Sequence, residues 1–437
     1  MKTRIRTSLI FISVLLLTPP GALGQQRGSV LVTGATVMTV THGTLTNTDV
    51  LVLDGTIKKI GTHLTAPPGV ETVDAQGQYL MPGIIDAHSH IALSSVNEAT
   101  SPVTAEVTME DVTNPYHIGI YRALAGGVTI SHTLHGSANV IGGQNEIIKH
   151  RYGAKNPDVL RFNRAPRTIK FALGENPTRV HGKRGGGSGK SLRPSSRMGV
   201  EAVLRNAFSK GKKYMEDWDR YTASKKSNPK LSPPAYDQRS EVMADILRGK
   251  IMVHCHSYRA DEILMLMRVL KDFGVHNVTF QHANEGFKVA PELAAFGAGA
   301  SVFSDWWSYK FEVYYSTAYN AAILTRNGVV TSINSDSGEL DRHLYHEAAK
   351  TQRYGDLSDN EALALITINP AKQLGIDRWV GSIEKGKDGD LVLFDANPLS
   401  IYATPQKTFV DGILYFDREN DPDDERLRVN PTSAIDL

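Results

Sequence analysis

Two histidines at the end of a short apolar run constrain this chain more than any other feature. The run reads Met81-Pro82-Gly83-Ile84-Ile85-Asp86-Ala87-His88-Ser89-His90. Pro82 and Gly83 mark the start of a strand, and Ile84 with Ile85 forms its buried part. Side chains alternate along extended chain, so His88 and His90, two apart, share one side. Two neutral imidazoles converging at a strand end suit a divalent transition metal. A bare His-x-His tripeptide is more often a surface coincidence. The Pro-Gly-apolar-apolar-Asp context in front of this one favours a metal site.

A strand that delivers ligands needs a scaffold. Between about residues 83 and 374, strand-like and helical stretches alternate. Residues 116–125 read as helix and lead into Gly126-Gly127-Val128-Thr129-Ile130. Residues 260–273 (ADEILMLMRVLKDF) carry their apolar side chains on one stripe, between the strand-like Ile251-Met252-Val253 and Val278-Thr279-Phe280. Residues 360–366 begin another helix. Alternation over this length predicts the α/β class and a closed (β/α)8 TIM barrel, residues 80–380, with its site at the C-terminal strand ends.

Short β-branched runs flank the barrel on both sides. Residues 28–79 contain strand-like pieces near 30–32, 37–40, 50–53 and 57–60, bounded by Gly34, Gly43, Asp54-Gly55 and Gly61. Residues 381–417 contain 391–394, 407–410 and 413–416, the last two flanking Asp411-Gly412. Both Asp-Gly pairs are hairpin signals. Sheet pieces from the two ends can pair into one split β-sandwich module, with the barrel inserted between them.

The segment 179–232 breaks the alternation and is rich in Lys, Arg, Gly and Ser, with a helical portion near 201–217. It is expected to be an insertion over the barrel mouth, a substrate lid. Gly185-Gly186-Gly187-Ser188-Gly189-Lys190-Ser191 approaches a phosphate-binding loop. That pattern requires glycine where Arg184 stands, and no apolar strand precedes it, so a nucleotide site is set aside.

At 437 residues the chain suits one barrel plus a smaller module. A net charge of +2 gives no ground for a polyanionic partner, and no nucleic acid is expected. Cys255 is the only cysteine, so no disulfide forms within the chain. Lys2, Arg4 and Arg6, the apolar run 8–17 and Ala22-Leu23-Gly24 read as a signal peptide, residues 1–24, directing a periplasmic or secreted protein. The run is short for a bilayer span, and no membrane association is expected after cleavage; an uncleaved anchor is the alternative. Residues 418–437 are an acidic tail, expected to be solvated.

Later stretches also place polar residues in or just after apolar strands: Ile251-Met252-Val253-His254-Cys255-His256, Val278-Thr279-Phe280-Gln281-His282 and Val329-Val330-Thr331-Ser332-Ile333-Asn334-Ser335-Asp336. Thr168-Ile169-Lys170-Phe171-Ala172-Leu173-Gly174-Glu175 offers a lysine and a glutamate. His135, Asn139 and Gln144, in a glycine-rich stretch after Val128, are candidate substrate contacts, and Trp306 and Trp307 candidate pocket walls.

The His88/His90 stretch resembles the first metal motif of the amidohydrolase superfamily. The split module, His254, His282 and Asp336 extend that resemblance over nearly all of the mature chain. It implies His88, His90, His254, His282 and Asp336 as metal ligands, with His256 left to substrate or supporting contacts. For strand four it implies either a carboxylated Lys170 bridging two metals or Glu175 as ligand; Glu175 is preferred because it stands at the polar exit and needs no modification. The expected cofactor is Zn²⁺ or another divalent transition metal, one ion or two. Asp336 can both bind metal and shuttle the proton of an attacking water to a leaving nitrogen. The expected activity is hydrolysis of a C–N bond, in an amide or cyclic amide other than a peptide, in a small molecule. Deamination and lactone opening use the same groups. A catalytically silent exported binding protein and a glycosidase with paired carboxylates are the rival classes. Homo-oligomer formation is left open.

Overall fold

The computed structural model of the chain describes residues 25–183, 194–307, 309–421 and 424–426. The expected signal peptide, the glycine-rich stretch around Gly185 and most of the acidic tail lie outside the described residues.

The split module is built from both ends of the chain. Its N-terminal strands are β1 (Val30–Met38), β2 (Thr44–Leu53), β3 (Thr56–Gly61), β4 (Glu71–Asp74) and β5 (Tyr79–Pro82). Strand β1 runs through Gly34, which was expected to end a strand. The glycine takes φ +71° at a register shift against β2, so it marks a bulge rather than a boundary. The hairpin residues Asp54 and Gly55 both have positive φ, as a two-residue turn requires.

The barrel follows with β6 (Ile84–Ser89), β7 (Val128–Thr133), β8 (Ile141–Lys149), β9 (Arg167–Ala172), β10 (Ile251–Ser257), β11 (Val278–His282), β12 (Gly299–Val302) and β13 (Thr331–Ile333). The chain then returns to the module with β14 (Leu391–Phe394), β15 (Pro405–Val410) and β16 (Ile413–Asp417). The module sheet has the order β16-β15-β14-β5-β1-β2-β3, with β4 on β1. Its halves meet where β14 pairs antiparallel with β5, Leu391 opposite Pro82. Val30, Val32, Val50, Val52, Leu80, Leu391 and Phe409 form its core.

The barrel sheet has the order β6 through β13 without a break. It departs from an all-parallel barrel at one strand: β8 is antiparallel to both neighbours. The reason is the connection. Only residues 134–140 separate β7 from β8, too few for a crossover helix, so the chain turns back on itself. The barrel closes through backbone and side chain: Asp336 N–H donates to the His88 carbonyl at 3.0 Å, and Ser335 N–H to Asp86 Oδ1 at 3.1 Å.

The insertion is a scaffold over its described part. Helix Arg197–Lys225 is far longer than the expected 201–217 and buries Val200, Leu204 and Phe208 in the main core. Phe208 stacks on Phe273, ring centroids 5.2 Å apart. Its N-cap is Ser196, whose side chain accepts from Gly199 N–H. No helix among the described residues is long and apolar enough to cross a membrane. The start of the acidic tail is docked rather than free, with the Tyr121 hydroxyl donating to Asp421 at 2.5 Å.

Candidate metal centre

Three strand ends deliver the donors. His88 on β6, His282 at the end of β11 and Asp336 just beyond β13 each place one ligand atom within 4.8 Å of the others. His88 Nε2 lies 3.5 Å and His90 Nε2 3.3 Å from Asp336 Oδ1, while His282 Nε2 lies 3.7 Å from Oδ2. The His88 and His282 rings are fully buried, whereas the Asp336 side chain is 26% exposed and His90 similarly so, and these two groups face the mouth. The backbone here is strained: Asp336 has φ +44°, His282 +69° and Ala283 +34°, all left-handed without being glycine.

Asp86 aligns these ends. It is buried and accepts from the backbone N–H of His88 at 3.2 Å and of Ser335 at 3.1 Å, and from the Ser335 hydroxyl at 2.5 Å. One carboxyl thus ties the His88 strand to the turn that carries Asp336. Burial pushes its pKa up to about 7 against those bonds. In the sequence Asp86 registers only as context for the His-x-His motif. The clue was an acid inside an apolar strand, where it must find partners.

The polar groups present fit a cation. The Leu134 carbonyl can only accept, so the 2.8 Å bond to His90 Nδ1 puts a proton on that nitrogen and leaves a lone pair on Nε2 of the neutral ring. That lone pair faces a carboxylate oxygen at 3.3 Å. Two acceptors so close need a proton or a metal ion between them. The His282 ring nitrogens are both buried and have no hydrogen-bond partner. Burial keeps two of these imidazoles neutral, His88 well below its usual range and His282 down to about 3. Burial works upward on Asp336, yet hydrogen bonding with His90 and the nitrogens of His282 and Lys170 around it hold the carboxyl down to about 2. Neutral imidazoles with an ionised carboxylate are the protonation states a divalent transition metal requires.

Strand four resolves differently from the expectation. Lys170 is fully buried, and its Nζ lies 3.1 Å from His88 Nε2, inside the cluster. Burial lowers it to about 8. Glu175 is not with the gathered donors: its carboxylate lies 3.3 Å from Arg179 and 3.5 Å from Lys310. Gly174, at φ +77°, turns the chain out of β9, so Glu175 opens a helix and is carried to the rim. His254 is buried on β10, but its Nδ1 is taken by Gln281 Nε2 at 3.0 Å and its ring packs on His132. His256 is beside the cluster, its ring 4.7 Å from that of His282.

Of the residues expected to touch substrate, His135 and Asn139 in the loop before β8 and Gln144 on β8 are engaged in holding neighbouring backbone. His135 Nε2 accepts from Glu98 N–H, and Asn139 donates to the carbonyls of Glu98 and Ser101. Gln144 accepts from Arg167 and donates to the Ala105 carbonyl. Trp306, a candidate pocket wall, packs among aromatic rings beside His282. It stacks on Phe303 at 4.3 Å, which stacks on His282 at 4.9 Å, and Tyr258 covers His282 from another side. Trp307 is 48% exposed.

Comparison with known proteins identifies the family. The Amidohydrolase family model matches residues 315–415, which include Asp336. Amidohydrolase tasK of Hapsidospora irregularis is 32% identical over 398 residues, covering 84% of this chain and 40% of that protein, so the chain spans about two fifths of that relative's length. An amidohydrolase of known structure from Thermotoga maritima MSB8 superposes with a TM-score of 0.81 at 35% identity, over 89% of this chain and 100% of its own. An adenosine deaminase from Xanthomonas campestris with bound zinc shares the fold, at a TM-score of 0.53 and 16% identity, over 94% of this chain and 96% of its own. Sequence likeness over the whole of the Thermotoga protein, on a barrel with histidines and an aspartate at its strand ends, makes this chain a member of the amidohydrolase superfamily.

Proposed function

We propose that this protein is a metal-dependent hydrolase that activates water to cleave a C–N bond, in an amide or cyclic amide, in a small molecule. The observation that carries the proposal is the meeting of His88, His282 and Asp336 within 4.8 Å from three separate strands, with His90 on the same carboxylate. These four residues would hold the ion, with Lys170 beside them. Nitrogen and carboxylate donors favour zinc among the divalent metals. When bound, the ion supplies Lewis acidity toward water and toward the scissile carbonyl.

The chain's own groups do the rest. Asp336 is ionised and faces the mouth, so it can accept the proton of the attacking water on one carboxylate oxygen. It then returns that proton to the departing nitrogen. Asp86 and the Ser335 hydroxyl keep the carboxylate on station through the turn they share. Phe303, Trp306 and Tyr258 form an apolar wall beside His282, which excludes water from that side and favours a substrate with a flat or apolar portion.

The basic, apolar and small-residue order of residues 1–24 supports export, to be checked by fractionation of cells expressing the tagged full chain. The central test is metal analysis of the purified protein with a panel of amides, cyclic amides, lactones and amino-substituted heterocycles. We expect bound zinc, amide or cyclic-amide turnover, and loss of that turnover with a strong chelator. Ammonia release from the heterocycles alone would move the chemistry to deamination. Full activity without metal would end the proposal, and a metal-loaded protein inert to the whole panel would favour a binding protein.

A further inference from the structure

Gln281, next to His282 on β11, sits between two buried imidazoles. Its Oε1 lies 3.1 Å from His88 Nδ1 and its Nε2 3.0 Å from His254 Nδ1. A primary amide offers an acceptor at one atom and a donor at the other. The two histidines therefore cannot carry their protons on the same ring position. One must hold it on Nδ1 and the other on Nε2.

Lys170 decides which is which. Its amine reaches His88 Nε2 at 3.1 Å, and an ammonium can only donate. His88 Nε2 is thus the acceptor, and Nδ1–H donates to Gln281 Oε1. The amide N–H then donates to His254 Nδ1, which leaves the His254 proton on Nε2. A metal ion at His88 Nε2 demands the same tautomer, so the pattern does not depend on what occupies the centre.

We infer that Gln281 is a positioning residue that commits His88 to the cation and withdraws His254 from it, so that β10 serves the site through His256. This deepens the proposed function and rests on its metal. Position supports it. His254 is in register with Lys170, and its ring packs on His132 at 4.5 Å. His132 is itself locked, donating to the Ala87 carbonyl at 3.2 Å and accepting from the Thr168 hydroxyl at 2.8 Å. These groups form a polar layer below the centre. His256 lies one step further toward the mouth, in register with Ala172, edge-on to His282. Both of its ring nitrogens are buried and without a hydrogen-bond partner, whereas on His254 only Nε2 is so placed. Buried nitrogens are rarely left so unless something else binds there.

The test reads tautomers directly. Long-range nitrogen–proton spectra of the full chain, with isotope-labelled histidine, give the protonated nitrogen of each ring, and His254→Gln assigns the signal. We expect Nε2–H at His254 in the wild type and a switch to Nδ1–H in Gln281→Glu, because a carboxylate only accepts. Zinc titration of the same proteins should show His256→Gln weakened by at least about tenfold and His254→Gln within about threefold of the wild type. A wild-type His254 with its proton on Nδ1, an unchanged tautomer in Gln281→Glu, or zinc lost from His254→Gln but kept by His256→Gln would each overturn the inference. A wild type that binds no zinc would refute the metal instead, and the tautomer spectra would still read the role of Gln281.

Discussion

At the scale of single residues the carboxylate of Asp336 does two jobs, and a substitution can separate them. Asp336→Asn keeps an oxygen donor but cannot take a proton. We expect it to retain at least half its zinc by elemental analysis while kcat falls by about 10²–10⁴. An unchanged kcat would take Asp336 out of proton transfer. Lys170 and Glu175 make a second contrast. Lys170→Met should lower zinc content more than Glu175→Gln, since Lys170 touches His88 and Glu175 is bound to Arg179 and Lys310. His150, away from the centre, reports burial alone. Its Nδ1 donates to the Val128 carbonyl, and burial lowers its pKa from 6.5 to about 4. Between those pH values the unfolded ring binds a proton and the folded one does not, so stability falls as the pH drops through this window. The loss approaches about 3 kcal/mol. His150→Gln should therefore show a flatter fall in Tm from pH 7 to 4 than the wild type; parallel curves would contradict the assignment.

At the scale of elements, short connections and close helix contacts decide more than periodicity does. Residues 260–273 read as an amphipathic helix, and Ala260–Asp272 is one, because its apolar stripe is continuous. The reversal of β8 has no comparable signature in its own residues, and follows from the short connection before it. The helix pair beside the barrel gives an element-scale prediction. Gly211 lets helix Arg197–Lys225 approach helix Gln238–Leu247, and a Cβ there would stand 2.5 Å from Met243 Cβ. Alanine is the better helix former by about 1 kcal/mol. The clash with a side chain close to its own backbone outweighs that, at about 1–3 kcal/mol. Gly211→Ala should lower Tm; a raised Tm would mean that the helices separate without cost.

At the scale of the whole molecule, the barrel and the split module are joined by a buried ion cluster. Lys149 Nζ, at the end of β8, lies 2.7 Å from Asp388, 2.9 Å from Asp390 and 2.7 Å from Asp411. Arg151 pairs with Asp411 at 2.7 Å, and Arg164 also contacts Asp388. Because β8 runs in reverse, its C-terminal end reaches the side opposite the metal centre, where the returning strands supply these aspartates. Removing one partner leaves buried charge uncompensated, at about 3–5 kcal/mol. Lys149→Met should therefore lower Tm by several degrees and loosen β14–β16 in hydrogen exchange before the barrel strands. Uniform exchange would show that the cluster does not hold the two parts together.

What the chain's order of residues determined is local. An apolar pair followed by spaced histidines makes a strand with imidazoles on one side, and Asp-Gly between apolar runs makes a hairpin. Both follow from backbone periodicity and φ preferences that each residue carries with it. Which groups share a centre is not local. Gly174 carries Glu175 away and leaves Lys170 beside His88, and Gln281 holds His254 beneath the centre while His256 stands next to His282. Those outcomes depend on register across four strands and on which nitrogen bears a proton, and only the closed barrel brings the deciding neighbours within hydrogen-bond reach.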